Sequence, residues 1–299
     1  MRIEDALQQF VMAGQGTRWG SARTAEWYQH QVERYFVWVQ TEGAQAAWLQ
    51  ATTIERFLAA ERMRGLSPYT LRARYVALDA FFGYLVKREL LGEHSNPMVN
   101  IDRPKLPKDR RPKNVELAEF RRLLEAVELA SWIGLRDRVI LQLLFFSGLR
   151  VSELIGLRAA DVTSDGLVFV RSGKGNKDRM VPCLPGLRTD MLAYLFSRPA
   201  YDGPELFLAN DGAGGLRGPL TTEGVRQMLR RRCKKLGIRV LNPHAFRHGA
   251  AMTLLNEGLE MSAVSTVLGH SSVKVTEQFY ARWQVEKLQE QYNKVVGKL

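Results

Sequence analysis

The chain has 299 residues, a formal net charge of +12, 45% hydrophobic residues and two cysteines. That apolar content can fill buried cores, which excludes a disordered chain, and the length suits one large domain or two ordinary ones. The charge predicts a polyanionic partner: DNA or RNA comes before an anionic membrane, because no basic amphipathic helix stands apart from the core.

Cys183 and Cys233 are too few for a disulfide framework. The first residues, Met1-Arg2-Ile3-Glu4-Asp5, are acidic and helical rather than signal-like. Together these predict a cytosolic protein. No apolar run approaches the ~20 residues that span a bilayer. The longest, residues 139–146, is broken by Gln142 and predicts a buried helix.

In chain order, the first hundred residues are expected to be helical throughout. Residues 23–40 carry Trp27, Val32, Tyr35, Phe36 and Val39 at helical spacing. Thr52 or Thr53 would cap a helix from Ile54 to about Arg64, ended by Gly65. Ser67 and Pro68 form a start signal for a helix with Leu71, Tyr75, Leu78, Phe81, Phe82 and Leu85 on one face and Arg72, Arg74 and Lys87 on the other. Asn96-Pro97 ends this region.

Residues 102–113 hold three prolines and six basic residues against two acidic ones, a composition with no apolar face. They predict an extended cationic connector, either a solvated linker or a strap along phosphates that gains from counterion release. Beyond it, residues 115–129 and 136–146 predict an amphipathic and a buried helix. Residues 166–171 and 178–183 predict paired strands around a turn containing Gly173, Gly175 and Asn176, and residues 205–208 a third short strand. Helices are expected over 221–235, 243–257, 261–268, 274–280 and 284–296.

Several motifs carry chemistry. Arg150 follows a buried apolar helix and a Ser-Gly-Leu bend, where it could grip phosphate oxygens or simply pair with Glu153. Asn242 and Pro243 open a helix on which His244 and Arg247 share a face, and helix N-termini attract anions. His244 and His248 at spacing four invite a zinc reading, but the His-Glu-x-x-His pattern fails at Ala245 and no third ligand clusters there. His248 is therefore expected to be structural. His270 follows a helix end at Gly269. Tyr280 on spacing alone would be core, and Lys174 at a hairpin tip would be solvated. Neither a P-loop nor a dinucleotide-binding glycine pattern is present. Residues 226–239 hold seven basic residues and no acidic one, partly a solvated face and partly phosphate contacts.

Taken together and in this order, these segments resemble the tyrosine recombinases of the phage-integrase family, most of all the Xer type. The first-arginine box is matched by Ser147-Gly148-Leu149-Arg150-Val151-Ser152-Glu153-Leu154 and the hairpin lysine box by Gly173-Lys174-Gly175-Asn176-Lys177-Asp178-Arg179. His244 and Arg247 match the His-x-x-Arg box, Leu268-Gly269-His270-Ser271 the Leu-Gly-His box, and Thr276-Glu277-Gln278-Phe279-Tyr280 the nucleophile box. Ser67-Pro68-Tyr69-Thr70, Asn96-Pro97 and Arg103-Pro104-Lys105 resemble the family's core-binding domain and linker. One departure is local: Phe246 and His248-Gly249 flank Arg247 where Xer proteins usually have Leu and His-Ser.

The resemblance implies a mainly α fold with a small antiparallel β-sheet. A helical, SAM-like core-binding domain would span residues 1–101, a basic linker 102–113, and an α+β catalytic domain 114–299 ending in a protomer-exchange helix. No further arm-binding domain is expected before the core-binding helices. Tyr280 would form a 3′-phosphotyrosyl bond. Arg150, Arg247, His244 and His270 would stabilise the transition state, Lys174 would protonate the leaving 5′-oxygen, and Glu153 would orient the site. Neither ATP nor a metal would be required. The partners would be a double-stranded recombination site, a homo- or heterotetramer on two duplexes, and either a paralogous recombinase or an activating partner. A cytoplasmic, nucleoid-associated enzyme follows. DNA contacts are expected from a clamp of the two domains through Arg72, Arg74, Lys105, Lys108, Arg110, Arg111, Lys177, Arg230, Arg231 and Lys234. The competing readings are a topoisomerase-like nicking-closing enzyme, a non-catalytic DNA-binding module, and an RNA binder, which lacks an aromatic strand motif.

Overall fold

The computed structural model describes residues 3–17, 22–92, 94–107, 114–163, 166–171 and 178–269, plus five isolated positions beyond. The chain divides into two compact units, residues 1–110 and 111–299. No described helix is long and apolar enough to cross a membrane.

The first unit is helical: α1 (Ile3–Thr17), α2 (Ala22–Thr41), α3 (Ala51–Met63) and α4 (Pro68–Lys87). Phe10, Tyr35, Phe36, Trp48, Phe57, Phe81 and Phe82 meet in one core, mostly edge to face, as ring quadrupoles favour. Tyr35 donates its hydroxyl to the Trp48 carbonyl at 2.6 Å, so the buried ring keeps its polar end satisfied. The same burial pushes the Tyr35 phenol well above its usual value.

Ser67 caps α4 by accepting from Thr70 N at 3.2 Å, with Pro68 in the first turn. The start of α3 differs from expectation. It begins at Ala51 after Gln50, which makes no side-chain cap, and Thr53 is buried inside the helix. Its end at Gly65 follows from a φ of +81°, which glycine adopts without strain. Asn96 caps a short 3-10 turn, Pro97–Asn100, through Met98 N at 3.0 Å. Tyr75 then donates to the Ile101 carbonyl at 3.1 Å, fastening the exit of the unit to α4.

The second unit is built around α6 (Trp132–Phe146), buried on all sides. Around it lie α5 (Leu117–Glu125), α7 (Val151–Ile155), α8 (Pro185–Ser197), α9 (Thr222–Lys235), α10 (Pro243–Asn256) and α11 (Met261–Leu268). Phe120 and Phe145 stack with centroids 4.1 Å apart. Helix α5 is shorter than its periodicity suggests at both ends: it starts after Glu116, with Val115 donating its N–H to the Ala245 carbonyl at 2.9 Å, and it ends at a cap on Ala126. Helix α8 starts with Pro185 in its first turn.

Strands β1 (Leu167–Val170) and β2 (Arg179–Pro182) pair antiparallel, with Val168 opposite Val181 and Val170 opposite Arg179. Val168, Val170 and Val181 face the core by simple alternation. The expected third strand lies slightly later, at β3 (Leu208–Asn210), and pairs with β4 (Leu216–Pro219) as a second hairpin. The fold is thus mainly helical with two small antiparallel sheets among the described residues. The turn at 172–177 and the expected helices over 274–280 and 284–296 fall outside a continuous description.

Candidate active site

Arg150 sits at the start of α7. The Glu153 carboxylate, one turn on, accepts from Arg150 N at 2.9 Å and from Arg150 Nη1 at 2.8 Å. Arg150 Nη2 donates to the Gly269 carbonyl at 3.3 Å. Glu153 is buried while the Arg150 side chain stays 32% exposed, so the carboxylate holds the arginine from below and leaves it an open side. Both readings of Arg150, phosphate grip and pair with Glu153, are thereby compatible.

Glu153 has a second partner. Arg179, on β2, donates Nη1 to Oε1 at 3.1 Å and Nη2 to Oε2 at 3.0 Å, a fork-to-fork pair. Burial alone would raise the Glu153 pKa. The hydrogen bonds from Arg179 and from Arg150 outweigh it and hold the carboxyl below the usual range. Arg179 stands inside the lysine-box segment, but nothing in its sequence position distinguishes it from a surface charge.

Arg247 is buried on α10, and its Nη1 donates to the Gly148 carbonyl at 2.8 Å. The first-arginine bend and the His-x-x-Arg helix are therefore bonded directly. Helix α10 starts where expected: Asn242 Oδ1 accepts from Ala245 N at 2.9 Å, with Pro243 in the first turn. His244, one turn before Arg247, has its surface open to solvent. Partial desolvation holds its pKa below the ordinary value, and the charges of Arg247, Arg226 and Arg150 push the same way. Three guanidinium groups thus act on one imidazole. His248 is half-buried and shifted down by burial and by its neighbours His244 and Arg247.

The departure at Gly249 has a local cause. A Cβ there would lie 2.3 Å from the Val115 carbonyl oxygen, so only glycine allows residue 115 to press against α10. Phe246 fills the core beneath.

Lys174, His270 and Tyr280 lie outside the described residues, as do Lys108, Arg110, Arg111 and Lys177. Among the other expected DNA contacts, Lys105, Arg230, Arg231 and Lys234 are exposed. Arg72 is partly buried and donates Nη1 to the Pro104 carbonyl at 2.8 Å. Arg74 must be corrected. It is buried, with Nε on Glu61 Oε2 at 3.3 Å and Nη1 on Gln31 at 2.5 Å, so it braces the helical unit and has no surface to offer a phosphate. At three residues after Leu71 it belongs to the inner face of α4. Four of the seven basic residues in 226–239 carry carboxylate partners: Arg226 on Glu223, Arg232 on Asp137, Lys235 on Glu128 and Arg239 on Glu119.

Residues 113–287 match the phage integrase family and residues 7–89 match its N-terminal SAM-like domain. The chain belongs to the phage integrase family. It is 36% identical over 275 residues to tyrosine recombinase XerA of Thermococcus kodakarensis, covering 92% of this chain and 89% of that one. It is 32% identical over 286 residues to tyrosine recombinase XerD of Listeria monocytogenes, covering 92% of each. Among solved structures, XerH bound to a palindromic difH substrate in a post-cleavage complex aligns with a TM-score of 0.73 at 20% identity, over 96% of this chain and 83% of that one. The Tn1549 transposon integrase in complex with a circular intermediate DNA aligns with a TM-score of 0.70 at 19% identity, over 94% and 99%. The last two establish likeness of fold.

Proposed function

We propose that this tyrosine recombinase cleaves and rejoins DNA at a specific site through a 3′-phosphotyrosyl intermediate, with Tyr280 as nucleophile. The Tyr280 hydroxyl oxygen bonds to phosphorus as the bond to the 5′-oxygen breaks. That oxygen leaves with its electron pair and takes a proton from Lys174. A second strand's 5′-hydroxyl later reverses the step and restores the phosphodiester. The bond energy stays in the adduct throughout, so no nucleotide hydrolysis enters.

The observation that carries this reading is that the fold fixes Arg150 on Glu153 and Arg247 on the Gly148 carbonyl, each at 2.8 Å, with the exposed His244 one helical turn before Arg247. Developing charge on the non-bridging oxygens is best met by preorganised donors, and Arg150 and Arg247 are each fixed by a short hydrogen bond within the fold. A free tyrosine, with pKa near ~10, needs help to attack. A histidine kept neutral by neighbouring cations can accept its proton, and the same cations favour the phenolate. His270 is assigned, with Arg150 and Arg247, to stabilising the transition-state oxygens.

Residues 1–101 would act as the core-binding domain, 102–113 as the linker and 114–299 as the catalytic domain, working as a clamp on double-stranded DNA in the cytoplasm. Phosphate contacts are assigned to Arg72, Lys105, Lys108, Arg110, Arg111, Lys177, Arg230, Arg231 and Lys234. Recombination requires two duplexes and so a tetramer, of this chain alone or with a paralogue or activator. The tail would dock on a neighbouring protomer: Leu288 and Tyr292 are 65% and 59% exposed, apolar surface left uncovered by their own chain. Deletion of residues 284–299 is expected to leave strand cleavage and abolish synapsis.

Covalent capture is the experiment that decides the function. The protein is incubated with sheared DNA from its source, denatured in SDS, and the attached DNA is sequenced. Adducts at one recurring sequence, absent with Tyr280→Phe, are expected. Adducts that persist in the Phe variant would overturn the nucleophile assignment.

A further inference from the structure

Arg179 closes a ring of hydrogen bonds beneath Arg150. Its Nη1 and Nη2 hold both oxygens of Glu153, and its Nε donates to the Val267 carbonyl at 2.9 Å. Arg150 holds the same carboxylate and donates to the Gly269 carbonyl at 3.3 Å, which returns the ring to the turn it started from. Three segments meet here: β2, whose first residue, Arg179, is the last of the Lys174 box; the start of α7; and the C-terminal end of α11 at Val267–Gly269, which precedes His270 in the chain. Gly269 is shaped to this arrangement. Its φ is +67°, and a Cβ there would lie 2.6 Å from Arg179 Nη1, so the guanidinium lies directly against the turn.

The Arg179 side chain is only 8% exposed and Glu153 only 5%. Arg179 therefore does not touch DNA, and any effect it has on the reaction passes through Glu153 and the turn. The charges decide what that effect is. One carboxylate faces two guanidiniums. With Arg179 taking both carboxylate oxygens, the ring keeps one surplus positive charge, and it lies on Arg150, the member with an open face. Without Arg179, the buried carboxylate would have Arg150 as its remaining partner. It would neutralise that charge and draw the side chain down, since a buried anion without compensation is costly.

We propose that Arg179 is a positioning residue for DNA cleavage: it satisfies Glu153 so that the charge of Arg150 remains available to the scissile phosphate, and it fixes the turn before His270. The proposal rests on the assignment of Arg150 to the transition state. It predicts that losing Arg179 damages cleavage in proportion to the negative charge on the phosphate.

The test uses the duplex recovered by covalent capture, made in two forms: the natural phosphodiester, and a methylphosphonate at the scissile position, in which one charged non-bridging oxygen is replaced by a neutral methyl group. Single-turnover adduct formation is measured for the full-length parent and for Arg179→Met. On the phosphodiester the variant is expected to be slower by about 100-fold, the scale of a misplaced or lost electrostatic stabiliser, with little change in DNA affinity. On the methylphosphonate the difference between parent and variant should shrink to a few-fold. A variant impaired equally on both substrates would make Arg179 a purely structural brace and overturn the proposal. If Arg179→Met fails to fold, as judged by circular dichroism and melting, Arg179→Gln gives the same comparison, since glutamine can still donate a hydrogen bond to Glu153 but removes the compensating charge. A parent that forms no Tyr280-dependent adduct overturns the functional reading itself, and this role with it. A parent with normal adducts and an unimpaired Arg179→Met overturns the Arg179 role alone.

Discussion

Arg247 donates to the carbonyl oxygen of Gly148 at 2.8 Å, so the turn that carries the first arginine is registered directly on the helix that carries the second. The turn depends on glycine. Gly148 has a φ of +57°, and a Cβ would come within 2.3 Å of Leu268 Cδ2 and 3.4 Å of Ala250 Cβ. Gly148→Ala thus combines left-handed strain with overpacking, expected to cost about 2–4 kcal/mol, less if the Leu268 methyl moves aside. Urea unfolding measures the loss, and adduct formation should fall even in the folded fraction because the carbonyl that holds Arg247 is displaced.

Arg150 should separate catalysis from binding. Arg150→Ala is expected to slow adduct formation by about 10²–10³-fold, the scale for losing one preorganised donor. Affinity for duplex DNA, measured by fluorescence anisotropy, should change little, because many other cations still hold the phosphates. A loss confined to affinity would make Arg150 a binding residue.

The His244 environment makes a pH prediction. Desolvation and the cations Arg247, Arg226 and Arg150 hold its pKa below the ordinary 6.5, which favours the neutral ring in the folded state. If neutral His244 serves as base, cleavage should persist as pH falls through 6.5 and decline only below it. Removing one cation with Arg226→Gln should move the acid limb upward. The sign for stability follows: the unfolded chain takes up the proton first, so the contribution of His244 is present above 6.5 and is lost as pH falls below that value. Single-turnover rates across pH 4.5–8 in parent and variant, the range over which an ordinary or depressed histidine titrates, measure the shift.

Helix α9 carries its charges in an order that the salt dependence of binding can read. Arg226, Arg230 and Lys234 recur at every fourth residue and so form one stripe, whose first member lies in the field of His244. Replacing Arg230, Arg231 and Lys234 with Gln should lower the slope of log affinity against log salt by about 0.9 for each phosphate that is no longer neutralised. Arg239→Gln should leave the slope alone, since Arg239 is bound to both oxygens of Glu119 at 2.8 and 2.7 Å.

Gly249 offers a test of geometry against family habit. Serine is the usual residue at this place in Xer proteins, so the resemblance predicts a harmless change. The structure predicts the opposite: a Cβ 2.3 Å from the Val115 carbonyl must push the segment off α10, at a cost of about 2–3 kcal/mol. Equal melting temperatures for Gly249→Ser and parent would show that the segment yields freely.

The sequence alone determined the family, the helical character of the first unit, the first hairpin and the starts of α4, α9 and α10. Those features depend on signals carried within a few residues of each other: Ser67 with Pro68, Asn242 with Pro243, alternating valines, and boxes whose order identifies the chemistry. Contacts between distant residues were decided only by the tertiary structure. Arg74 is three residues from Leu71 and so lies inside α4, but its partners Glu61 and Gln31 come from two other helices. Arg179 and Glu153 are 26 residues apart, and Arg247 and Gly148 are 99 apart. A charged side chain has the same identity on a surface as in a buried pair. Only the fold supplies the desolvation and the partner that turn one arginine into a brace and leave another with a side open to solvent.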